Sequence, residues 1–199
     1  SSTSTSGTCT IGTLNEFPVP TAASQPGRIT KGPDGNFWFI ENYANKIGRI
    51  SPDGTMIDEF AIPTTNSSPG NITAGPDGNL WFTEQFTNKI GRISPDGTMI
   101  DEFTIPTANS QPIGITKGPD GNIWFTEFLT NKIGRITPSG SFLAEFPANN
   151  PVNITAGPDG NLWFTENNQN KIGRITPSGV ISEFSPWTTN SVPIDITKG

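Results

Sequence analysis

The chain has 199 residues, which is long enough for one domain with a substantial core. Hydrophobic residues make up only 32%, whereas 22 glycines and 19 prolines favour many turns and few helices. The net charge of -6 argues against binding to nucleic acid, and the absence of histidine excludes every histidine-dependent mechanism for this chain acting alone.

The first part of the chain lies outside any repeat. Residues 1–10 are rich in serine and threonine, so we expect a flexible leader. Cys9 is the single cysteine, which predicts a free thiol or an intermolecular bond. Ile11 to Pro18 resembles the last strand of a repeat unit whose other strands are missing. The sequence contains no apolar run of membrane-spanning length, so no membrane insertion is predicted.

A repeat of about 42 residues fills the chain from residue 11 to residue 199. Each copy contains Gly-Pro-Asp-Gly-Asn, then a Trp-Phe pair, then Asn-Lys-Ile-Gly-Arg-Ile and a Glu-Phe pair. The tryptophans are Trp38, Trp81, Trp124 and Trp163.

Each repeat predicts four strands, A to D, joined by turns of the Pro-Asp-Gly type. In the second copy the strands are expected at residues 71–75, 80–84, 89–94 and 98–105. Strand B begins Leu80-Trp81-Phe82 without a polar break, which predicts a strand covered on both faces. The sequence therefore predicts an all-β β-propeller of four-stranded antiparallel blades, in which each tryptophan packs between blades. Four complete blades are expected near residues 28–62, 71–105, 114–146 and 153–184, with a partial blade at each end.

These motifs resemble a known family. Gly-Pro-Asp-Gly-Asn-Leu-Trp-Phe-Thr-Glu, followed by Asn-Lys-Ile-Gly-Arg-Ile and by Glu-Phe-x-Ile-Pro-Thr, is similar to the repeat of the virginiamycin B lyases, which are seven-bladed propellers. The resemblance covers residues 11–199. It implies an enzyme that opens a cyclic depsipeptide by elimination at its ester, using Mg²⁺ and catalytic histidines. This chain has no histidine to match them.

One end of the predicted propeller differs between copies. In an antiparallel blade the B-to-C loops and the D-to-A connections share this end, which we call the loop face. Because the opposite end has nearly identical turns in every copy, a ligand site is expected on the loop face. The alternative is a set of ordinary solvated loop tips. The candidate contact residues are Tyr43, Phe86, Phe128, Asn168 and Trp187.

The acidic residues of the repeat admit a structural interpretation. A glutamate ends each strand B and could act as a general base or a Mg²⁺ ligand, but one lysine and one arginine in strand C favour internal pairing. The aspartate of Gly-Pro-Asp-Gly-Asn is interpreted as a turn former, because one carboxylate is too few for calcium. No metal or cofactor is predicted unless the lyase activity holds. The glutamates are Glu41, Glu84, Glu127 and Glu166.

Ser191 to Gly199 resembles a strand A without its successors, so both ends of the array would expose strand-pairing groups. Either the chain is part of a longer propeller, or other copies pair with Ile11 to Pro18 and with Ser191 to Gly199. The favoured function is a non-catalytic extracellular or cell-surface propeller for binding or assembly. The alternatives are a streptogramin B lyase-like enzyme and a self-assembling structural subunit.

Overall fold

The computed structural model describes residues 15–98, 100–185 and 191–197. These residues contain sixteen strands. They include no helix long and apolar enough to cross a membrane. The strands are β1 (Pro26–Lys31), β2 (Phe37–Glu41), β3 (Lys46–Ile50), β4 (Ile57–Ala61), β5 (Pro69–Ala74), β6 (Leu80–Glu84), β7 (Lys89–Ile93), β8 (Ile100–Thr104), β9 (Pro112–Lys117), β10 (Ile123–Glu127), β11 (Lys132–Ile136), β12 (Phe142–Pro147), β13 (Pro151–Ala156), β14 (Leu162–Glu166), β15 (Lys171–Ile175) and β16 (Ile181–Phe184).

The strands form four antiparallel sheets, each made of four consecutive strands. The first strands of neighbouring sheets, β1, β5, β9 and β13, contact one another in that order, so the sheets stack as blades around a common axis. This arrangement confirms the predicted all-β propeller with four complete blades.

The turn between strands A and B is fixed by its own side chains. In the second blade Asp77 accepts a hydrogen bond from the indole N–H of Trp81 over 3.0 Å and another from the side-chain amide of Asn79 over 2.8 Å. Gly78 has a φ of +78°, a conformation that favours glycine. The pentapeptide therefore orients the tryptophan as well as turning the chain, which agrees with the predicted role of its aspartate.

The core lies between blades. Trp38, in the first blade, belongs to a buried cluster with Leu80 and Phe82 of the second blade. Arg49 stacks on Trp38 with its Cζ 5.4 Å from the ring centroid and donates a hydrogen bond over 2.7 Å to the carbonyl oxygen of Pro95 in the next blade. Apolar packing and a polar contact thus join the same two blades.

The tryptophans differ in burial according to their neighbours. Trp38, Trp81 and Trp124 are fully buried, whereas Trp163 in the fourth blade is only partly buried. Among the described residues, no complete blade follows β16 to cover Trp163.

The two predicted partial blades form no strand within residues 15–18 and 191–197. Among the residues that the structure describes, neither segment has a neighbouring strand to which its backbone could bond. The leader at residues 1–10, together with residues 11–14 and 198–199, lies outside the described residues.

Candidate functional site

The loop face is held together by the asparagine that precedes each strand C. Asn88 has a φ of +59°, in the left-handed region that asparagine tolerates better than most residues. Its side-chain oxygen accepts hydrogen bonds from the backbone N–H and the hydroxyl of Ser110, both over 2.7 Å. Its amide group donates to the carbonyl oxygens of Ile105 and Thr107. The asparagine therefore ties the B-to-C loop to the connection that leads to the next blade.

Three large side chains project from successive B-to-C loops. Tyr43, Phe86 and Leu129 are 75%, 71% and 58% exposed. Each follows the glutamate of its strand B by two positions. The loop backbone is fixed beneath them, since the N–H of Phe86 donates to the carbonyl oxygen of Ser67 over 3.1 Å. The result is a row of apolar groups on a rigid support.

The sequence-predicted contact residues lie at or near this row. Tyr43, Phe86 and the fourth-blade Asn168 are exposed at equivalent positions. Phe128 is half-buried, one position earlier than the residue in the row. Sequence reasoning missed Leu129, although counting two positions from the strand B glutamate would have found it. Trp187 lies outside the described residues.

Grooves between the blades lie beside the row. A groove of about 290 Å³ is lined by Tyr43 and Phe86 together with amide and hydroxyl side chains. The next groove, of about 370 Å³, is lined by Phe86 and Leu129 together with two asparagines and two glutamines. A wider cavity of about 650 Å³ extends from Tyr43 towards Arg28. Apolar groups flanked by amides suit a ligand that combines hydrophobic side chains with peptide groups.

Polar residues meet at the propeller axis, beside the wider cavity. The guanidinium of Arg28 lies 2.5 Å from a carboxylate oxygen of Asp195. Asp195 also accepts a hydrogen bond from Asn153, and Asn71 donates to Asn153 over 3.3 Å. These residues occupy the same position of strand A in different copies of the repeat. Residues 191–197 are therefore linked to the first blade by an ion pair across the axis.

The strand B glutamates are all buried, with no exposed surface. The expected pairing with basic residues of strand C is wrong, because each lysine bonds instead to the glutamate of strand D. Lys89, for example, lies 3.0 Å from Glu102. Glu84 accepts one hydrogen bond, from Thr87 over 2.7 Å, and its other oxygen has no partner among the described residues.

The two glutamates of a blade have pKa values shifted in opposite directions. Burial raises the pKa of Glu84 to about 7, against an ordinary value of 4.5, and the pKa of Glu127 also to about 7. Burial acts in the same direction on Glu102, but hydrogen bonds from Thr64 and Lys89 hold the pKa of that carboxyl below its usual value. Each blade thus pairs an ionised glutamate with one that is easily protonated.

These clusters do not fit the Mg²⁺ that the family resemblance implies. The described residues contain no group of three or more acidic or cysteine side chains that could hold a metal ion. Within each glutamate pair a lysine ammonium already provides the positive charge, as Lys132 does at 2.7 Å from Glu145. A divalent ion would have to displace that ammonium.

The comparison with known proteins identifies the family. The model of the virginiamycin B lyase family matches residues 6–199. The chain belongs to the virginiamycin B lyase family. It is 46% identical to selenomethionine-substituted virginiamycin B lyase from Staphylococcus aureus, with a TM-score of 0.89 over 94% of this chain and 64% of the lyase. A streptogramin B lyase structure matches with 42% identity and a TM-score of 0.86, over 92% of this chain and 62% of that chain.

A third structure is of a catalytically inactive histidine-to-alanine variant of the Staphylococcus aureus lyase with quinupristin, again 46% identical, with a TM-score of 0.88 over 94% of this chain and 64% of that chain. The chain thus spans less than two thirds of the length of these lyases. Hydrazine synthase from Kuenenia stuttgartiensis is 18% identical with a TM-score of 0.70, over 86% of this chain and 52% of that chain, and shares the fold alone.

Proposed function

We propose that the chain is part of a streptogramin B lyase-like protein and that it binds a cyclic depsipeptide on the loop face. The observation that carries the proposal is the row of Tyr43, Phe86 and Leu129 beside amide-lined grooves. Exposed apolar groups in a contiguous row are uncommon on a surface without a binding role. The family membership and the relative determined with quinupristin support this ligand class.

Recognition would combine two kinds of contact. The aromatic and aliphatic side chains of the row would pack against hydrophobic side chains of the ligand. The amide group of Asn66, in the groove beside Tyr43, would face its peptide groups. Because the loop backbone is already hydrogen-bonded, little ordering entropy would be lost on binding.

Ring opening needs a group that this chain does not supply in an accessible form. Elimination requires a base to remove a proton while the ester carboxylate leaves with the electron pair. The chain has no histidine, and the strand B glutamates, although their pKa is favourable in two blades, have no exposed surface. We therefore infer that these 199 residues contribute binding, and that turnover depends on a base from outside them.

The second candidate function is binding without turnover, as in a non-catalytic propeller. The absence of histidine from all 199 residues favours it. The two candidates share the loop-face site and differ only in whether bound ligand is converted.

Calorimetric titration with quinupristin tests the shared site. We expect saturable binding that weakens at least tenfold in Phe86→Ala and is unchanged in Leu143→Ala, a matched control that is also exposed but lies on strand β12. Ring opening is followed separately by chromatography, because elimination leaves the mass of the ligand unchanged. Binding without a linear product would support the second candidate, and absence of binding would contradict both.

A further inference from the structure

Charged side chains are absent from the two smaller grooves of the loop face, among the residues that the structure describes. The groove of about 290 Å³ is lined by Tyr43 and Phe86 with asparagines and a serine. The groove of about 370 Å³ is lined by Phe86 and Leu129 with asparagines and glutamines. Neither lining includes a carboxylate, an ammonium or a guanidinium group. Both grooves therefore offer only neutral groups to a ligand.

The lysines at the loop-face end of the blades already have partners. Each strand C starts at this end with a lysine, which is held by the glutamate of strand D and by a threonine of the connection. Lys89 lies 3.0 Å from Glu102 and donates to the hydroxyl of Thr64 over 2.5 Å. Lys46 and Lys132 repeat these contacts in the first and third blades. A ligand anion could attract one of these ammonium groups only by breaking an existing ion pair.

The arginines do not supply the missing positive charge. Arg92 donates to the carbonyl oxygen of Pro138 in a C-to-D turn, which lies at the opposite end of the blades. Arg28, in the wider cavity, is paired with Asp195 at 2.5 Å. Each complete blade brings two glutamates and one lysine to the loop-face end. The charge that a blade contributes there is therefore zero or negative.

Unpartnered carboxamides line the groove between the second and third blades. The side-chain amides of Gln85, Asn109 and Gln111 have no hydrogen-bond partner among the described residues. Asn109 and Gln111 have φ values of +56° and +49°, a left-handed backbone that glutamine rarely adopts. Strain of this kind is often maintained at binding sites. Ser110 between them is fixed by Asn88, so the connection holds both amides in place.

A carboxamide without a nearby cation suits a neutral ester or amide better than a carboxylate. It donates and accepts hydrogen bonds, so it can bind both the N–H and the carbonyl groups of a peptide ring. A carboxylate that entered either groove would lose water without gaining a positive charge. Desolvation of an unpaired charge costs far more than desolvation of a neutral polar group.

Ring opening changes the charge of the ligand. Elimination breaks the bond between the ester oxygen and the alcohol carbon, a base takes the proton, and the electron pair of the broken bond stays on the carboxylate. A neutral ring thus becomes a linear product with one negative charge.

We propose that the loop face selects the closed, neutral ring and rejects the ring-opened acid, because its grooves contain no cation. This selectivity rests on the proposed function, and it adds the property by which the site distinguishes substrate from product. Release of the acid then follows from the composition of the binding surface and needs no movement of the blades.

Calorimetric titration with three forms of virginiamycin B tests the selectivity. The forms are the intact ring, the linear acid obtained by saponifying its ester, and the methyl ester of that acid, which is linear but neutral. The ring and the methyl ester differ in constraint, whereas the methyl ester and the acid differ in charge. We expect the acid to bind at least tenfold more weakly than the methyl ester. The ratio should persist at about 0.5 M NaCl, where the field of distant charges is screened.

A new cation should abolish the selectivity only if it lies in a groove. Gln85→Lys should bring the affinity for the acid to within about threefold of that for the methyl ester. Leu143→Lys, which adds the same charge on strand β12, should leave the ratio unchanged. If only the ring binds to the unmodified chain, binding of the acid to Gln85→Lys but not to Leu143→Lys still supports the selectivity, and its absence overturns it.

The remaining outcomes separate the selectivity from the proposed function. Equal binding of the acid and the methyl ester would overturn the selectivity and leave the depsipeptide site intact. Tighter binding of the acid that is lost in Arg28→Gln would overturn it as well, because it would reveal a carboxylate receptor at the axis. Absence of binding by all three forms would contradict the proposed function, and the selectivity with it.

Discussion

Glu84 and Lys89 lie opposite each other on strands β6 and β7, yet the ammonium group of Lys89 bonds to Glu102 and to Thr64. Glu84 is left fully buried with a single hydrogen bond, from Thr87. A carboxylate in this position is costly when ionised, because burial removes water that no partner replaces. Glu127 in the third blade is also fully buried, and burial raises its pKa as it does that of Glu84.

We predict that the free energy of unfolding falls between pH 4.5 and pH 7. In this interval the folded chain binds more protons at Glu84 and Glu127 than the unfolded chain, whose glutamates titrate near 4.5. Glu84→Gln removes the titration, so it should stabilise the protein at pH 8 by about 2 to 3 kcal/mol and change little at pH 5. Urea titrations at the two pH values measure the difference.

The control for this prediction is Glu102→Gln. Hydrogen bonds keep the pKa of Glu102 low, so its contribution is present at neutral pH and is lost as the pH falls through its titration. Its replacement should therefore destabilise the protein at pH 8. If Glu84→Gln and Glu102→Gln changed stability in the same direction at pH 8, the assignment of charges within the blade would be wrong.

The cost of removing a tryptophan should depend on its place in the array. Trp81 is fully buried between two blades, so Trp81→Ala is expected to lower the free energy of unfolding by about 3 to 5 kcal/mol. Trp163→Ala should cost less than half as much, because Trp163 is already partly exposed. Denaturant titration of both variants measures this, and equal losses would contradict the packing between blades.

Two substitutions at Asn88 distinguish the contribution of its backbone conformation to stability from the contribution of its hydrogen bonds. Asn88→Gly keeps the left-handed backbone and loses four hydrogen bonds, whereas Asn88→Ala loses both. We expect Asn88→Ala to be the less stable of the two by about 1 kcal/mol. Both variants should also accelerate hydrogen exchange at the amide of Ser110, which now donates to Asn88. Unchanged exchange there would show that the asparagine does not hold the connection.

Glycine has two different roles in the repeat, and a matched pair of alanine substitutions distinguishes them. A Cβ on Gly91 would lie 2.1 Å from the ring of Phe82, so Gly91→Ala should cost about 1 to 3 kcal/mol through overpacking. Gly78 has open space around it and a φ of +78°, so Gly78→Ala should cost about 1 kcal/mol through backbone strain alone. Thermal denaturation of the two variants measures both losses of stability. A larger loss for Gly78→Ala than for Gly91→Ala would contradict the prediction.

Most of the architecture could be predicted from the sequence because every local signal agrees with the global fold. The Pro-Asp-Gly turns, the unbroken Leu80-Trp81-Phe82 run and the repeat spacing each indicate blades of four strands. The family resemblance rests on the same residues, and the match of residues 6–199 confirms it.

The charge partners could not be predicted, because they depend on which strand faces which across the sheet. Lys89 lies opposite Glu84 in the ladder, but its long side chain reaches the threonine of the inter-blade connection and the glutamate of strand D. Counting the charged residues of a blade shows how many acids and bases it has, but not which acid remains unpaired. The exposed residue of a loop is also hard to predict from the sequence. Phe128 was predicted to be exposed but is half-buried, whereas its neighbour Leu129 is exposed.

The loop-face row has a consequence for how such a protein can evolve. The backbone N–H of Phe86 is anchored to Ser67, while 71% of the Phe86 side chain faces solvent, and Asn88 secures the loop independently of it. A mutation at this position therefore changes the exposed surface of the loop face without disturbing a blade. Four such positions, one per repeat, let point mutations vary the surface of the loop face while the scaffold stays constant.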